Sequence, residues 1–389
     1  SGNFAARRMH LKSKITVICF CILLFGLTLI SVIKPPTIFS EKENRYLTQK
    51  PAFSFASLFQ GSYTSAYEDY LSDQFPGRDG WIRLQSRSEQ LLQKKEINQV
   101  YLADDHYLIE KLDRQDFVSA QAQKNADSLS AFVQNQSRAL GPSHVRVMVV
   151  PSASQILTHK LPSFAAVHGE QEFLDAVRLG VGEEHFVDVS AALLSHQDES
   201  VYYRTDHHWT TLGAFYGYQA WAKASGFTPY EIRDFSVETV TDSFYGTLQA
   251  KVNLPLVPDS MERFSLASSP VAYTVTYNES EDIRDNLYEW SALDTRDKYR
   301  FYLNGNQPIV RIETSVPSGR NLLVIKDSFA NCFVPFAANH FGRTLVVDLR
   351  YFNGDVKALM DAFSITDILI LYQASFLAAE PSVSRLSFW

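Results

Sequence analysis

Leu322-Leu323-Val324-Ile325-Lys326-Asp327-Ser328-Phe329 opens with four apolar residues and closes on a lysine, an acid and a serine. A strand buried on both faces of a parallel sheet reads as such a continuous hydrophobic run. Its end, where a strand becomes a turn, is where α/β enzymes expose nucleophiles. Similar runs lie on either side. Val145 to Pro151 suits a first strand, Phe186-Val187-Asp188-Val189 followed by Ala191 to Ser195 a second strand and helix, and Leu345-Val346-Val347 and Asp367 to Tyr372 two later strands. A helical pattern over Asp355–Phe363 separates the last two, and an amphipathic helix over about Asp116–Ala139 precedes the first. Strands alternating with helices predict an α/β sandwich with a mainly parallel sheet. Residues from about 241 to 319 break the rhythm with the alternation Ala272 to Tyr277, an acidic turn at Glu279, Glu281 and Asp282, and Gly305-Asn306. They predict an antiparallel insertion.

A nucleophile needs a base, and Tyr203-Arg204-Thr205-Asp206-His207-His208-Trp209-Thr210 concentrates titratable groups as no other stretch does. A carboxylate close to a histidine can accept its Nδ1–H and leave Nε2 free as a base. Thr210 or Thr211 can cap a helix through Leu212, Phe215, Tyr218 and Trp221, placing the acid and imidazoles in the loop at its entrance. The residues leave open which histidine is the base. Ser328 also has a plainer reading as the N-cap of a following helix, and Cys332, flanked by Phe333 and Val334, reads as a buried inert thiol. Adjacent histidines with a carboxylate could bind zinc, but the His-x-x-x-His spacing and a second ligand cluster are missing, so no metal is expected. No Gly-rich phosphate loop is present, and no cofactor is expected.

The chain has 389 residues with a net charge of -7. That balance argues against a nucleic-acid binder, which needs clustered Lys and Arg. Cys19 and Cys21 lie in the first apolar run and only Cys332 in the main body, so no disulfide is expected there. Arg7, Arg8, His10, Lys12 and Lys14 precede an uncharged segment over 15–33, which Lys34, Pro35 and Pro36 stop. Its length suits a membrane-spanning helix of ~17–25 residues better than a cleaved leader. The basic flank predicts a cytoplasmic tail over 1–14 and everything after Lys34 outside, at the cell membrane. A solvated connector with Glu41, Lys42, Glu43, Asn44 and Arg45 leads into a juxtamembrane helical region, 34–100 in all. There an aromatic stripe (Phe55, Phe59, Tyr63, Tyr67, Tyr70), broken at Gly61 and ended at Pro76-Gly77, reads as core packing. Val100-Tyr101-Leu102 and Tyr107-Leu108-Ile109 form a hairpin, His106 being a turn residue, and open the main domain over 101–389.

Asp206-His207-His208-Trp209, Lys326-Asp327-Ser328-Phe329 and Asp73-Gln74-Phe75-Pro76-Gly77-Arg78 together resemble the bacterial DHHW family. That family is similar to the alginate O-acetylation proteins AlgJ and AlgX, with an SGNH-hydrolase-like fold, here a three-layer sandwich with permuted motif order. The resemblance covers the chain from about Ser40 onward. It implies Ser328 as nucleophile, His208 as base and Asp206 as its orienting acid. It offers no clear match for the oxyanion blocks of ordinary SGNH enzymes, leaving Gly246, Asn331 and Arg350 as candidates.

The activity so implied is an extracytoplasmic O-acetyltransferase that acetylates a secreted or cell-surface polysaccharide through a serine acyl-enzyme. A membrane-bound O-acyltransferase partner would supply the acetyl group. Trp209, Tyr203 and Tyr351 would form an aromatic rim for sugars, with His207 beside it. An acetyl esterase of the same fold, or a non-catalytic assembly or polymer-binding subunit, are the alternatives.

Overall fold

The computed structural model describes residues 2–40, 45–278, 280 and 282–389. The connector residues Glu41 to Asn44 and the turn residues Glu279 and Glu281 lie outside the described residues. The chain divides into two compact units, Ser1–Leu92 and Gln93–Trp389.

The first unit is helical. A helix spans Gly2–Ile33, and its Lys14–Ile33 portion is long and apolar enough to cross a membrane. Ser54 caps a short helix over Phe55–Phe59, accepting the Ser57 N–H at 3.1 Å. Gly61, at φ 77°, turns the chain into a helix over Ser62–Asp73. Gly77, at φ 67°, then turns it into one over Arg78–Leu91. L side chains avoid that left-handed region, which explains both breaks in the helical pattern. The aromatic stripe is not core packing: no residue of Phe55–Phe59 or Ser62–Asp73 is buried, and Arg78–Leu91 buries only Ser86. Among the described residues of this unit no second layer covers it.

The second unit is a mixed α/β fold built on a seven-stranded sheet. Its strands are β1 (Val145–Val150), β2 (Tyr273–Tyr277), β3 (Ile283–Arg284), β4 (Ile309–Thr314), β5 (Asn321–Lys326), β6 (Arg343–Val347) and β7 (Asp367–Gln373). They lie in the order β3-β2-β4-β6-β5-β7-β1. The pairs β6–β5, β5–β7 and β7–β1 are parallel, and β4–β6, β2–β4 and β2–β3 antiparallel. Alternate residues feed two apolar clusters. Leu322 and Val324 of β5 join Trp209, Phe215, Tyr218 and Trp221 on one face, while Leu323 and Ile325 join Leu129, Phe132, Val133 and Val177 on the other. The parallel part of the sheet is therefore covered on both faces, which is why its strands carry unbroken hydrophobic runs.

Two sequence expectations need correction. The segment from Tyr273 to Thr314 is no separate insertion, because β4 pairs the edge that β6 would otherwise expose and β2 and β3 extend the same sheet beyond it. The detached antiparallel piece is the ribbon Phe235–Phe244 with Asp259–Leu266. Phe186–Val189 makes one parallel bridge, Phe186 to Val147, instead of a strand. Asp188 immediately caps the helix Val189–Ser195 and ends the extended run.

Candidate active site

Ser328 lies two residues beyond β5, between the C-terminal ends of β6 and β7. The N-cap there is Asp327, whose Oδ1 accepts the Phe329 N–H at 2.9 Å and whose Oδ2 accepts the Gln373 N–H at 2.8 Å. Burial pushes the Asp327 carboxyl up to about 6 despite those donors. With capping done by the aspartate, the serine hydroxyl is left for other work. It lies 2.7 Å from His208 Nε2, and Ser328 is only partly buried. Among the described residues the Ser328 N–H has no acceptor.

His208 is held from the other side by Asp206, whose Oδ1 is 2.5 Å from Nδ1 and also accepts the His208 N–H at 3.0 Å. A carboxylate can only accept, so Nδ1 carries the proton and Nε2 accepts from Ser328. Asp206 Oδ2 takes the N–H and hydroxyl of Thr247, at 2.7 and 3.1 Å. Burial alone would raise the Asp206 pKa, but His208, His207 and the Thr247 donors hold it well below the usual carboxylate range. Burial, reinforced by His207 and opposed by Asp206, lowers His208 to about 4. The imidazole is thus neutral, and able to act as a base, at neutral pH.

The loop carrying these residues is fixed at several points. Asp259 accepts the N–H groups of Arg204 and Thr205 at 3.0 and 2.8 Å, and the Thr205 hydroxyl at 2.6 Å. Thr210 caps the helix Thr211–Ala224 as expected, accepting the Gly213 N–H at 3.1 Å. Trp209 Nε1 donates to the Phe329 carbonyl at 2.8 Å and so ties the histidine loop to the serine loop. The Tyr299 ring stacks on His208, centroids 3.9 Å apart and planes 13° from parallel, while its hydroxyl reaches the Ser328 carbonyl at 3.3 Å.

The remaining sequence candidates fare differently. Gly246 is needed as glycine because a Cβ there would come within 2.1 Å of the Asp206 Cβ. Its N–H donates to Thr205 Oγ1 at 3.1 Å, which removes it as an oxyanion donor. Asn331 is buried and committed elsewhere: its amide nitrogen donates to Asn306 at 3.3 Å and its oxygen accepts from Lys326 at 2.8 Å. Trp209 and Tyr203 are buried, so they form no rim, whereas Tyr351 is exposed. Arg350 pairs with Asp348 at 2.6 Å, and its charge acts on both His208 and Asp327. His207 is partly buried, with Nδ1 2.8 Å from Thr247 Oγ1. Ligand atoms of Asp206, His207 and His208 lie within 4.8 Å of one another, close enough to hold a metal ion. A cation there would compete with the contacts to Ser328 and Thr247 just described.

Sequence reading missed the group beneath Ser328. Lys326 and Asp348 are fully buried 3.4 Å apart at the ends of β5 and β6, and Lys326 also reaches Asn306 at 3.1 Å. Burial lowers the Lys326 pKa, and Asp348 opposes it. A lysine closing an otherwise apolar run was the available signal, since buried lysines are almost always paired. Tyr299 and Asp259 carry no comparable signal.

A family model described as DHHW protein matches residues 116–347, well over half of the chain. The chain belongs to the DHHW family. It is similar to the crystal structure of a DHHW family protein from Eubacterium siraeum, with a TM-score of 0.61 and 25% identity over 74% of this chain and 95% of that one. It is also similar to Bacillus cereus PatB1 solved with a sulfonyl adduct, with a TM-score of 0.60 and 23% identity over 74% of this chain and 97% of that one. A weaker likeness, TM-score 0.44 and 15% identity over 74% of this chain and 98% of that one, links it to the O-acetyltransferase domain of Pseudomonas putida AlgJ. Comparison with curated proteins finds no match.

Proposed function

We propose that this DHHW protein is an extracytoplasmic O-acetyltransferase with an SGNH-like catalytic domain, which acetylates hydroxyls of a polysaccharide through an acyl-enzyme on Ser328. The observation that carries the reading is the unbroken chain Asp206–His208–Ser328, with contacts of 2.5 and 2.7 Å. Ser328 Oγ attacks the acetyl carbonyl as His208 Nε2 takes its proton, and Asp206 stabilises the imidazolium. The tetrahedral intermediate expels the donor alkoxide, which leaves with the proton from His208. His208 then deprotonates the acceptor hydroxyl, the new ester forms, and the proton returns to Ser328. In this reading the Ser328 N–H, which has no acceptor among the described residues, stabilises the oxyanion, with the charge of the Asp348-paired Arg350 acting from nearby.

In this reading residues 15–33 cross the bilayer, 1–14 stay in the cytoplasm, and a membrane-bound O-acyltransferase delivers the acetyl group outside. The test offers a labile acetyl ester to the full chain in detergent, with and without acetyl-free cell-surface polysaccharide. Acetyl appearing on the polymer supports transfer. Release of acetate alone, unaffected by polymer, would replace the proposal with an acetyl esterase. Burial of Trp209 and Tyr203 gives that second reading some weight, because it removes two of the three expected sugar contacts. Sulfonyl fluorides, which modify activated serines, offer a titrant for the same hydroxyl.

A further inference from the structure

The apolar helix Lys14–Ile33 is followed closely in sequence by aromatic side chains that are exposed to solvent. Phe39 and Tyr46 meet edge to face with ring centroids 5.3 Å apart, and Phe75 and Trp81 do so at 6.4 Å. All four are exposed, Tyr46 at 76% and Trp81 at 47%. Gln74 is the main side-chain tie between their segments and the residues that follow the apolar helix. Gln74 Oε1 accepts the Thr37 N–H at 2.8 Å, and Gln74 Nε2 donates to the Thr37 and Thr48 carbonyls at 2.8 and 3.1 Å. Asp73 adds a bond from the Thr48 N–H at 2.8 Å. Lys34, Thr37, Phe39 and Phe75 line one recess of about 290 Å³.

Thr37 is only four residues beyond Ile33. Even fully extended, that connection spans at most ~14 Å. If Lys14–Ile33 crosses a bilayer, the clamped end of the Ser62–Asp73 helix therefore sits at or beside a headgroup layer about 5–8 Å deep. Tryptophan and tyrosine favour that layer, where a ring can be apolar at one end and wet at the other. The sequence after the clamp is also suited to lipid: from Pro51 to Tyr67 there is no charged side chain. The segment 53–92 as a whole has three arginines against five acids, so electrostatic attraction to anionic lipid is not what would hold it.

We infer that Phe39, Tyr46, Phe75 and Trp81 form an interfacial collar that rests in the lipid headgroup region and fixes the helical unit against the bilayer. The inference rests on Lys14–Ile33 being a membrane span, and resistance of the reconstituted chain to alkaline carbonate extraction tests that separately. The collar is tested by Trp81 fluorescence, taken as the difference between the full chain and its Trp81→Phe variant, in phosphatidylcholine vesicles brominated near the top of the acyl chains. At least about twofold quenching by the bromines, with little quenching by aqueous acrylamide, is expected for an interfacial tryptophan. Carbonate resistance with acrylamide-quenched, bromine-insensitive Trp81 would overturn the collar, leaving that face to water or a protein partner. Extraction by carbonate would overturn span and collar together. Gln74→Ala gives an independent check: it should reduce the bromine quenching of Trp81, and unchanged quenching would show that the clamp does not hold the collar.

Discussion

Aromatic side chains crowd both units of this chain, but they do opposite things there. In the second unit Trp209, Trp221, Phe215 and Tyr218 are buried against one face of the sheet, and Trp209 ends on a hydrogen bond to the serine loop. In the first unit Phe55, Phe59 and Trp81 are exposed, although their spacing along the helices looks like that of a core. Helical periodicity reports that a face is apolar, not what covers it. A sheet with complementary strands supplies the cover in one unit. Among the described residues of the other unit no second layer does so, and the interfacial collar inferred above would give that face to lipid.

The largest expected effects fall where burial and chemistry coincide. Asp206→Asn keeps the shape of the loop but offers an amide where His208 needs an anion. Transfer should fall by about 10²–10⁴-fold while the melting temperature moves little, by analogy with other triads. Steady-state rates and a thermal melt of the variant check both halves. A loss below tenfold would contradict the role of Asp206 in orienting His208.

Next come the aromatics themselves. Trp221→Ala should cost ~3–5 kcal/mol in denaturant unfolding, as deletion of a buried indole does. Phe59→Ala should stay within ~0.5 kcal/mol, the range of an exposed site. Equal costs at the two positions would break the contrast between the units.

A smaller effect concerns pH. His208 is lowered to about 4 by burial first and His207 second. The acid limb of kcat/KM should therefore lie well below 6.5, the ordinary histidine value. The sign for stability follows, since the unfolded chain binds this proton first. The contribution is full above about 6.5 and is lost as pH falls toward the folded value. An acid limb at or above 6.5 would mean that His208 is not the group titrating.

Much of the second unit was legible because its parallel strands are uniformly apolar and its helices capped by ordinary signals such as Thr210 and Asp188. The site was legible where chemistry concentrates in short motifs, at Asp206, His208 and Ser328. It was illegible where contacts come from afar. Thr247 and Asp259 hold the loop from 41 and 54 residues away, in segments with no periodicity of their own. Tyr299 reaches His208 from the irregular region before β4. The antiparallel strands were readable as strands, yet alternation alone could not say that they would extend the main sheet. Trp209 and Tyr203 illustrate the same limit, because neighbouring positions in a motif need not face the same space.

The most direct test of the central claim is the intact mass of the full-length chain after exposure to an activated acetyl ester, with Ser328→Ala treated in parallel. One acetyl increment is expected, mapped by peptide mass to Ser328 and missing from the variant. An increment of the same yield in Ser328→Ala, or one mapped to another residue, would contradict it.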